Sequence, residues 1–402
     1  MVLRLDHRHF GLQRTMAILF LIIFMDLVGF GLLLPLLPFY VQRVGAGPET
    51  ITLVLGLYSV GQFVAAPFWG RLSDSVGRKP VLVATSLGLA ASYVMLAYAD
   101  SLILLVFVRL FGGIMAGNIA AAQAYISDIT TPATRAKGMG MLGAAFGLGF
   151  IFGPAIGGIL GGSDLATADF ISPALAAAAV TLIAAAGAMV FLEESLKPEQ
   201  CAARRMRSDL SFRQELRKVF GRRVLALLTL VGFLTITAWS MFETVFALWA
   251  NAAFRYGPAQ IGYVLTFIGV ISVIIQGGAI GALTRRFGER ALAVSALGFL
   301  TVGYIALALS GTTSHMVLAC GALGIGSALF NPSLSSLVSR EAADHECGAV
   351  LGAYQSATAL GRVIGPAFSG LVFARLGPPA PFLLAAAAAV PALGLLWLAR
   401  RR

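Results

Sequence analysis

Twelve long apolar runs, parted by short polar connections, organise the chain. They begin near Met16, Ile51, Lys79, Leu102, Gly138 and Ser172, and resume near Val224, Pro258, Glu289, Thr313, Gly348 and Pro379. A helix rising about 1.5 Å per residue needs roughly 20 such residues to cross a hydrocarbon core about 30 Å thick, and each run is long enough. The longest polar stretch, Glu193 to Arg223, falls in the middle. The pattern therefore predicts an all-α integral membrane protein with twelve transmembrane helices in two pseudo-symmetric six-helix bundles, 1–194 and 224–402, joined by a linker at 195–223. Within that linker, Leu210 to Val219 has the pattern of an amphipathic helix lying on the lipid surface.

Internal repetition supports the division. Gly70, Leu72 and Gly77 recur as Gly281, Leu283 and Gly288, 211 residues later, and Gly149, Gly153 and Pro154 recur as Gly361, Gly365 and Pro366, 212 later. Duplicated halves of this kind place a substrate site between them at mid-membrane.

Composition agrees with the pattern. Hydrophobic residues make up 58% of the 402 and charged ones 12%, against roughly 25% charged in soluble domains. The net charge of +11 invites a nucleic-acid partner, but its distribution speaks for topology instead. Arg43, Arg255 and Arg375 fall in one set of connections and Arg109 and Arg362 inside apolar runs; all other Lys and Arg fall on the opposite side with both ends of the sequence. The excess of basic residues on the cytoplasmic side then puts both termini in the cytoplasm. The first run, Met16 to Val41, contains Asp26 and no small-residue cleavage pattern, and is expected to be a retained span. Cys201, Cys320 and Cys347 share no metal-ligand spacing, so neither a disulfide nor a metal or other cofactor is expected.

The most specific local signal runs from Gly70 to Pro80, Gly-Arg-Leu-Ser-Asp-Ser-Val-Gly-Arg-Lys-Pro. So short a connection makes spans 2 and 3 antiparallel neighbours, Gly77 suits a positive φ, and Pro80 fits the first turn of span 3. Asp74 can accept from exposed helix N–H groups while Arg78 and Lys79 hold the cytoplasmic face. This segment resembles the signature loop of the major facilitator superfamily. Gly147 to Gly158, with Gly149, Gly153, Pro154 and Gly157, is similar to the glycine and proline motif of that superfamily's antiporters. Arg109 followed by Gly113 and Gly117 resembles the span 4 motif of its drug:proton antiporters, and the likeness covers nearly the whole chain. Leu283 to Arg290 is similar to a segment of tetracycline pumps, although the acid of span 9 and the histidine of span 8 in those pumps have no counterpart here.

Three ionisable residues stand out as candidates for proton coupling. Asp26 lies near the middle of span 1, where an ionised carboxylate costs at least about 2.5–3.5 kcal/mol unless paired or hydrated, so it should face the interior. Glu243 in span 7 is its counterpart from the other half. Arg109 needs an acid or several carbonyls as partner inside a bundle; the resemblance implies a role in coupling for it. Arg362 has the look of a buried cation that locks onto an acid of span 2 or 7. Asp74, Arg78, Asp128 and Arg135 are expected to form a cytoplasmic charge cluster that stabilises the outward-facing state and breaks during the cycle. Gly149, Gly153 and Gly157 lie on one face, and Pro154 bends the helix, giving a smooth surface for a sliding contact or gate.

Phe30, Tyr58, Gln62, Tyr125, Trp239, Phe242, Phe246, Gln276, Tyr354 and Gln355 mix aromatic area with polar handles and are the expected substrate surface. Together these features predict a monomeric, proton-coupled exporter of small lipophilic or drug-like compounds in a plasma membrane, with a bacterial inner membrane suggested by the short termini and the Arg and Ala content. An exporter of sugars, amino acids or siderophores without proton coupling is the rival. An intramembrane enzyme is disfavoured, because the spans carry no His/Glu metal pair, Ser/Lys or Ser/His constellation or paired Asp motif.

Overall fold

The computed structural model describes residues 3–130, 132–196, 199, 221–341 and 347–399, and every regular element among them is helical. Most of the linker, including Leu210 to Val219, lies outside the described residues, as do the side chains of 3–14, 132–137, 139 and 347–349. Spans 1, 2 and 3 are Leu3–Leu33, Pro48–Val76 and Arg78–Ala97, and a short helix, Leu37–Arg43, extends span 1. Span 4 runs as Leu102–Met115, a 3-10 turn at Ala116–Asn118, and Ile119–Ile129; spans 5 and 6 are Pro132–Gly161 and Ile171–Phe191. In the second half span 7 is Arg223–Phe254, and spans 10, 11 and 12 are Thr313–Glu341, Cys347–Leu376 and Ala380–Leu398.

Spans 8 and 9 form one continuous helical stretch, Pro258–Ala308, but Gly288 interrupts it with φ 77° and ψ 155°. The stretch is therefore two spans, which brings the number among the described residues to twelve. Gly77, 211 residues earlier, turns the chain between spans 2 and 3 with φ 106° and ψ 157°. Both residues hold a backbone conformation that L side chains rarely adopt, so the sequence repeat is also a repeat of conformation. A second correspondence lies deeper in the same helices. Span 2 carries Pro67 in its interior, and at the equivalent level span 8 carries a π-turn, Ile275–Ala279. Each disturbs the helical hydrogen-bond ladder, one by removing a donor and the other by inserting a residue.

Within the first six spans, span 1 packs on spans 5 and 6, span 3 on span 6, and span 2 on span 4; within the last six, span 7 packs on 11 and 12, and span 9 on 10. Apolar residues such as Ile103, Val190 and Leu309 stand exposed on the outside, as lipid requires of a helix whose backbone groups are all satisfied internally.

Contact between the halves runs through span 2 against span 11 and span 5 against span 8, and it concentrates at one end. A Cβ on Gly56 would stand 3.0 Å from Pro366, and one on Gly370 would run into Thr52. A Cβ on Gly158 would stand 2.9 Å from the Pro258 carbonyl and 3.1 Å from Gly262 Cα, and the Ala259 N–H donates to Gly162 O at 3.0 Å. Toward the other end, which carries the 70–79 loop, Cβ atoms built on Gly70, Gly140, Gly143, Gly277 and Gly352 would meet nothing within 4 Å. The halves close at the end of Gly47 and Gly257 and part at the end of Gly77 and Gly288.

Candidate functional site

A cavity lies beneath the closed end, lined from the first half by Phe30, Leu34, Tyr58 and Arg109 and from the second by Ser240, Glu243, Thr244 and Pro366. Phe30 and Leu33 line it from the end of span 1, Leu34 from the turn that follows, and Leu37 from the start of the short helix. The Phe30 and Tyr58 rings are 5.1 Å apart.

Arg109 is 6% exposed. Its guanidinium carbon lies 4.5 Å from the Tyr58 ring centroid, and Nη2 donates to Leu55 O at 3.5 Å. Nε is buried without a hydrogen-bond partner, and no ion pair among the described residues includes Arg109. Close packing sets this position: a Cβ on Gly113 would collide with the Tyr58 backbone, and one on Gly61 would stand 2.6 Å from Leu110 O. Only glycines at the crossing let span 2 approach so near, and they hold Arg109 beside the Tyr58 ring.

Asp26 sits one turn from Phe30 on the same face of span 1. It accepts from Ser86 Oγ at 3.0 Å and Asn118 Nδ2 at 3.5 Å, while its Oδ1 is buried with no hydrogen-bond partner. The 3-10 turn of span 4 brings Asn118 there. Such a break frees carbonyls from the helical ladder, and span 2 satisfies them: Gln62 Nε2 donates to Ala116 O at 3.1 Å and Trp69 Nε1 to Ile114 O at 2.6 Å. Tyr58 is within electrostatic reach of both Asp26 and Arg109. Across the cavity, Glu243 is half-buried and Arg362 is its electrostatic neighbour. The Ser240 hydroxyl donates to Arg362 O at 3.3 Å. Arg362 is exposed, not buried as expected: it lies one turn toward the open end from Pro366, the residue of span 11 that packs on Gly56.

The signature loop is built around Arg78, whose side chain is 4% exposed. Nη2 donates to Asp74 Oδ1 (2.6 Å), Nε to Asp128 Oδ2 (3.0 Å) and Nη1 to Ser73 Oγ (2.5 Å). Glu194, at the end of span 6, accepts from the backbone N–H groups of Arg78 (2.9 Å) and Lys79 (3.1 Å). A Cβ at Gly77 would strike that carboxylate. These contacts join spans 2, 3, 4 and 6 of one bundle and are intact while the halves stand apart at that end. Of the expected charge cluster, Asp74, Arg78 and Asp128 are brought together in this geometry. Arg135, its fourth expected member, has its side chain outside the described residues. Glu194 was missed because, in sequence, it reads as the polar start of the linker.

The glycine motif serves two contacts, and the three glycines expected on one face share the first of them. Cβ atoms on Gly149 and Gly153 would stand 2.6 Å from Leu27 and Gly31, and one on Gly157 would overlap Leu32; this face packs on span 1 of the same bundle. The contact with span 8 is made by Gly147, Pro154 and Gly158. Gly158→Leu should therefore push spans 5 and 8 apart at the closed end. Overpacking costs about 1–3 kcal/mol, so an impermeant maleimide applied from that side should label a cysteine at Ser240 on the order of tenfold faster or more, in a background lacking native cysteines.

Of the expected substrate surface, Phe30 and Tyr58 line the cavity. Phe242 and Phe246 do not: they are buried in the second bundle, where Phe242 packs near Tyr304 and Phe382 and Phe246 near Trp249. Trp239 is half-buried against Phe242. Tyr125 is buried in the first bundle, its hydroxyl donating to Glu193 O at 2.5 Å, and Tyr354 packs on Gly232. Gln62 is held by Ala116, and Gln276 and Gln355 are exposed outside the cavity lining.

The family model of the Major Facilitator Superfamily matches residues 19–361 and 277–402. Multidrug resistance protein 2 of Bacillus subtilis (strain 168) is 29% identical over 95% of this chain and 94% of its own length. A class G tetracycline resistance protein of Vibrio anguillarum is 31% identical, covering 91% and 92%. The crystal structure of the human organic anion transporter MFSD10 superposes with a TM-score of 0.73 at 26% identity, covering 96% of this chain and 99% of that one. Two duplicated six-span halves around one central cavity, together with these matches along nearly the whole length, make the chain a multi-pass membrane transporter of the major facilitator superfamily.

Proposed function

We propose that the chain is a proton-coupled secondary transporter that exports small lipophilic or drug-like compounds across a bacterial inner membrane by alternating access. The observation that carries this is the cavity itself: both halves line it, one supplies Arg109 and the other Glu243, and the halves close on only one side of it. The distribution of basic residues supports a cytoplasmic open end, with the 70–79 loop. In that orientation the cavity loads from the cytoplasm, as export requires. The relatives named for multidrug and tetracycline resistance support the direction and the kind of substrate.

Coupling follows from linkage. If a proton on Asp26 and a substrate in the cavity favour opposite-facing states, downhill proton entry drives substrate out. Asp26 suits that role because it sits at the break in span 4, one turn from the cavity lining, with one carboxylate oxygen unpartnered. Expression in an efflux-deficient bacterial host tests the reading. Resistance to a panel of lipophilic dyes and antibiotics should rise, and collapse of the proton gradient should abolish dye extrusion. Unchanged susceptibility across the panel would favour the metabolite exporter.

A further inference from the structure

We infer that the cavity is built for a dipolar substrate, an aromatic or apolar body carrying an anionic group that seats on Arg109 and a cationic group that seats on Glu243. The inference rests on the export reading and specifies its substrate class.

Arg109 is the stronger half of the argument. Guanidinium presents five N–H donors and stays charged. Here it is more than nine-tenths buried, lines the cavity, has an orphaned Nε, and holds one carbonyl at 3.5 Å. The face of Tyr58 offsets part of the desolvation, but a ring leaves the in-plane donors unsatisfied. A buried cation without an anion is costly, and the open space in front of it is where a carboxylate or other anion would fit. Glu243 faces the same cavity from the opposite half; Arg362 of its own half is an electrostatic neighbour, but the carboxylate accepts no hydrogen bond among the described residues. The space between is walled by Phe30, Leu34 and Tyr58, which suit an apolar body.

The two charges belong to different bundles. A zwitterion spanning them bonds to both halves at once and selects the conformation in which their separation matches its own, whereas a singly charged molecule bonds to one half only. Differential affinity for one conformation is what moves a conformational equilibrium.

A matched probe series tests this on the purified full chain: three naphthyl amides of one skeleton, bearing a carboxylate, a primary ammonium, or both, with affinities from isothermal titration. The zwitterion should bind at least about tenfold tighter than either singly charged probe, the scale of one hydrogen bond to a charged group. Glu243→Gln should erase the gain contributed by the ammonium and Arg109→Gln the gain contributed by the carboxylate, with Arg109→Lys restoring part of it. A zwitterion no tighter than both single-charge probes on the wild type overturns the inference, as does a gain that survives Glu243→Gln. The wild-type comparison and Glu243→Gln decide the matter even where Arg109 variants fail to fold. Dye extrusion by the wild type in cells separates the two proposals: extrusion without zwitterion preference defeats only this one, and loss of extrusion defeats the export reading.

Discussion

Asp26→Asn is expected to lower efflux driven by a pH gradient to the level of vesicles lacking the protein, while exchange of substrate across vesicles without a gradient continues. The substitution keeps the size and shape of a side chain wedged between Ser86 and Asn118. It removes the charge and the ability to gain and lose a proton, while the amide oxygen can still accept from Ser86 and Asn118 as Oδ2 does. The split between the two assays separates coupling from folding: a misfolded variant fails both, whereas a variant lacking its proton site still alternates with substrate bound. Continued uphill efflux in Asp26→Asn would move proton coupling to Glu243 or away from both acids.

Arg78→Ala should produce the largest loss of stability. Three side-chain acceptors converge on a guanidinium that is almost wholly buried, so its removal takes from Asp128, at 9% exposure, a charge-assisted hydrogen bond made out of reach of solvent. Breaking a buried pair by deleting one member costs about 3–5 kcal/mol. Lysine would not repair it, since a single ammonium cannot reproduce the planar fork that reaches Ser73, Asp74 and Asp128 together. Glu194→Gln should be milder, about 1–3 kcal/mol, because the amide loses charge at the start of span 3 but retains one acceptor oxygen. Thermal unfolding of the purified variants in one detergent, followed by circular dichroism, should rank them in that order. Equal midpoints for wild type and Arg78→Ala would contradict the role assigned to the loop.

Much of the fold is legible in the sequence because lipid imposes a strong rule: each span needs an unbroken apolar run, and the polar residues left over mark the connections. The repeat that ties Gly77 to Gly288 is equally visible, since a backbone conformation available to glycine leaves its residue behind in both halves. Charged residues inside spans are conspicuous for the same reason, which is how Asp26, Arg109 and Glu243 stand out.

What stays hidden is which way an uncharged side chain turns. Phe30 and Phe242 look alike in sequence, yet one lines the cavity and the other fills the interior of a bundle, because an aromatic ring is as much at home against neighbouring helices as against a ligand. Ser240 and Thr244 of the lining are ordinary residues of an apolar span. Helix periodicity identifies the face shared by Gly149, Gly153 and Gly157, but whether span 1 or span 8 meets that face is decided by tertiary packing. Glu194 shows the same limit from the polar side. Its partners in span 3 are more than a hundred residues away, and no local pattern points to them.

Substrate-induced proton release offers the most direct measurement of the central claim. Purified protein in weakly buffered solution, with a pH indicator, should release protons when a transported compound is added. Asp26→Asn should bind the same compound and release none. Equal proton release from wild type and Asp26→Asn, or binding with no release from the wild type, would contradict the linkage between the acid of span 1 and the cavity between the halves.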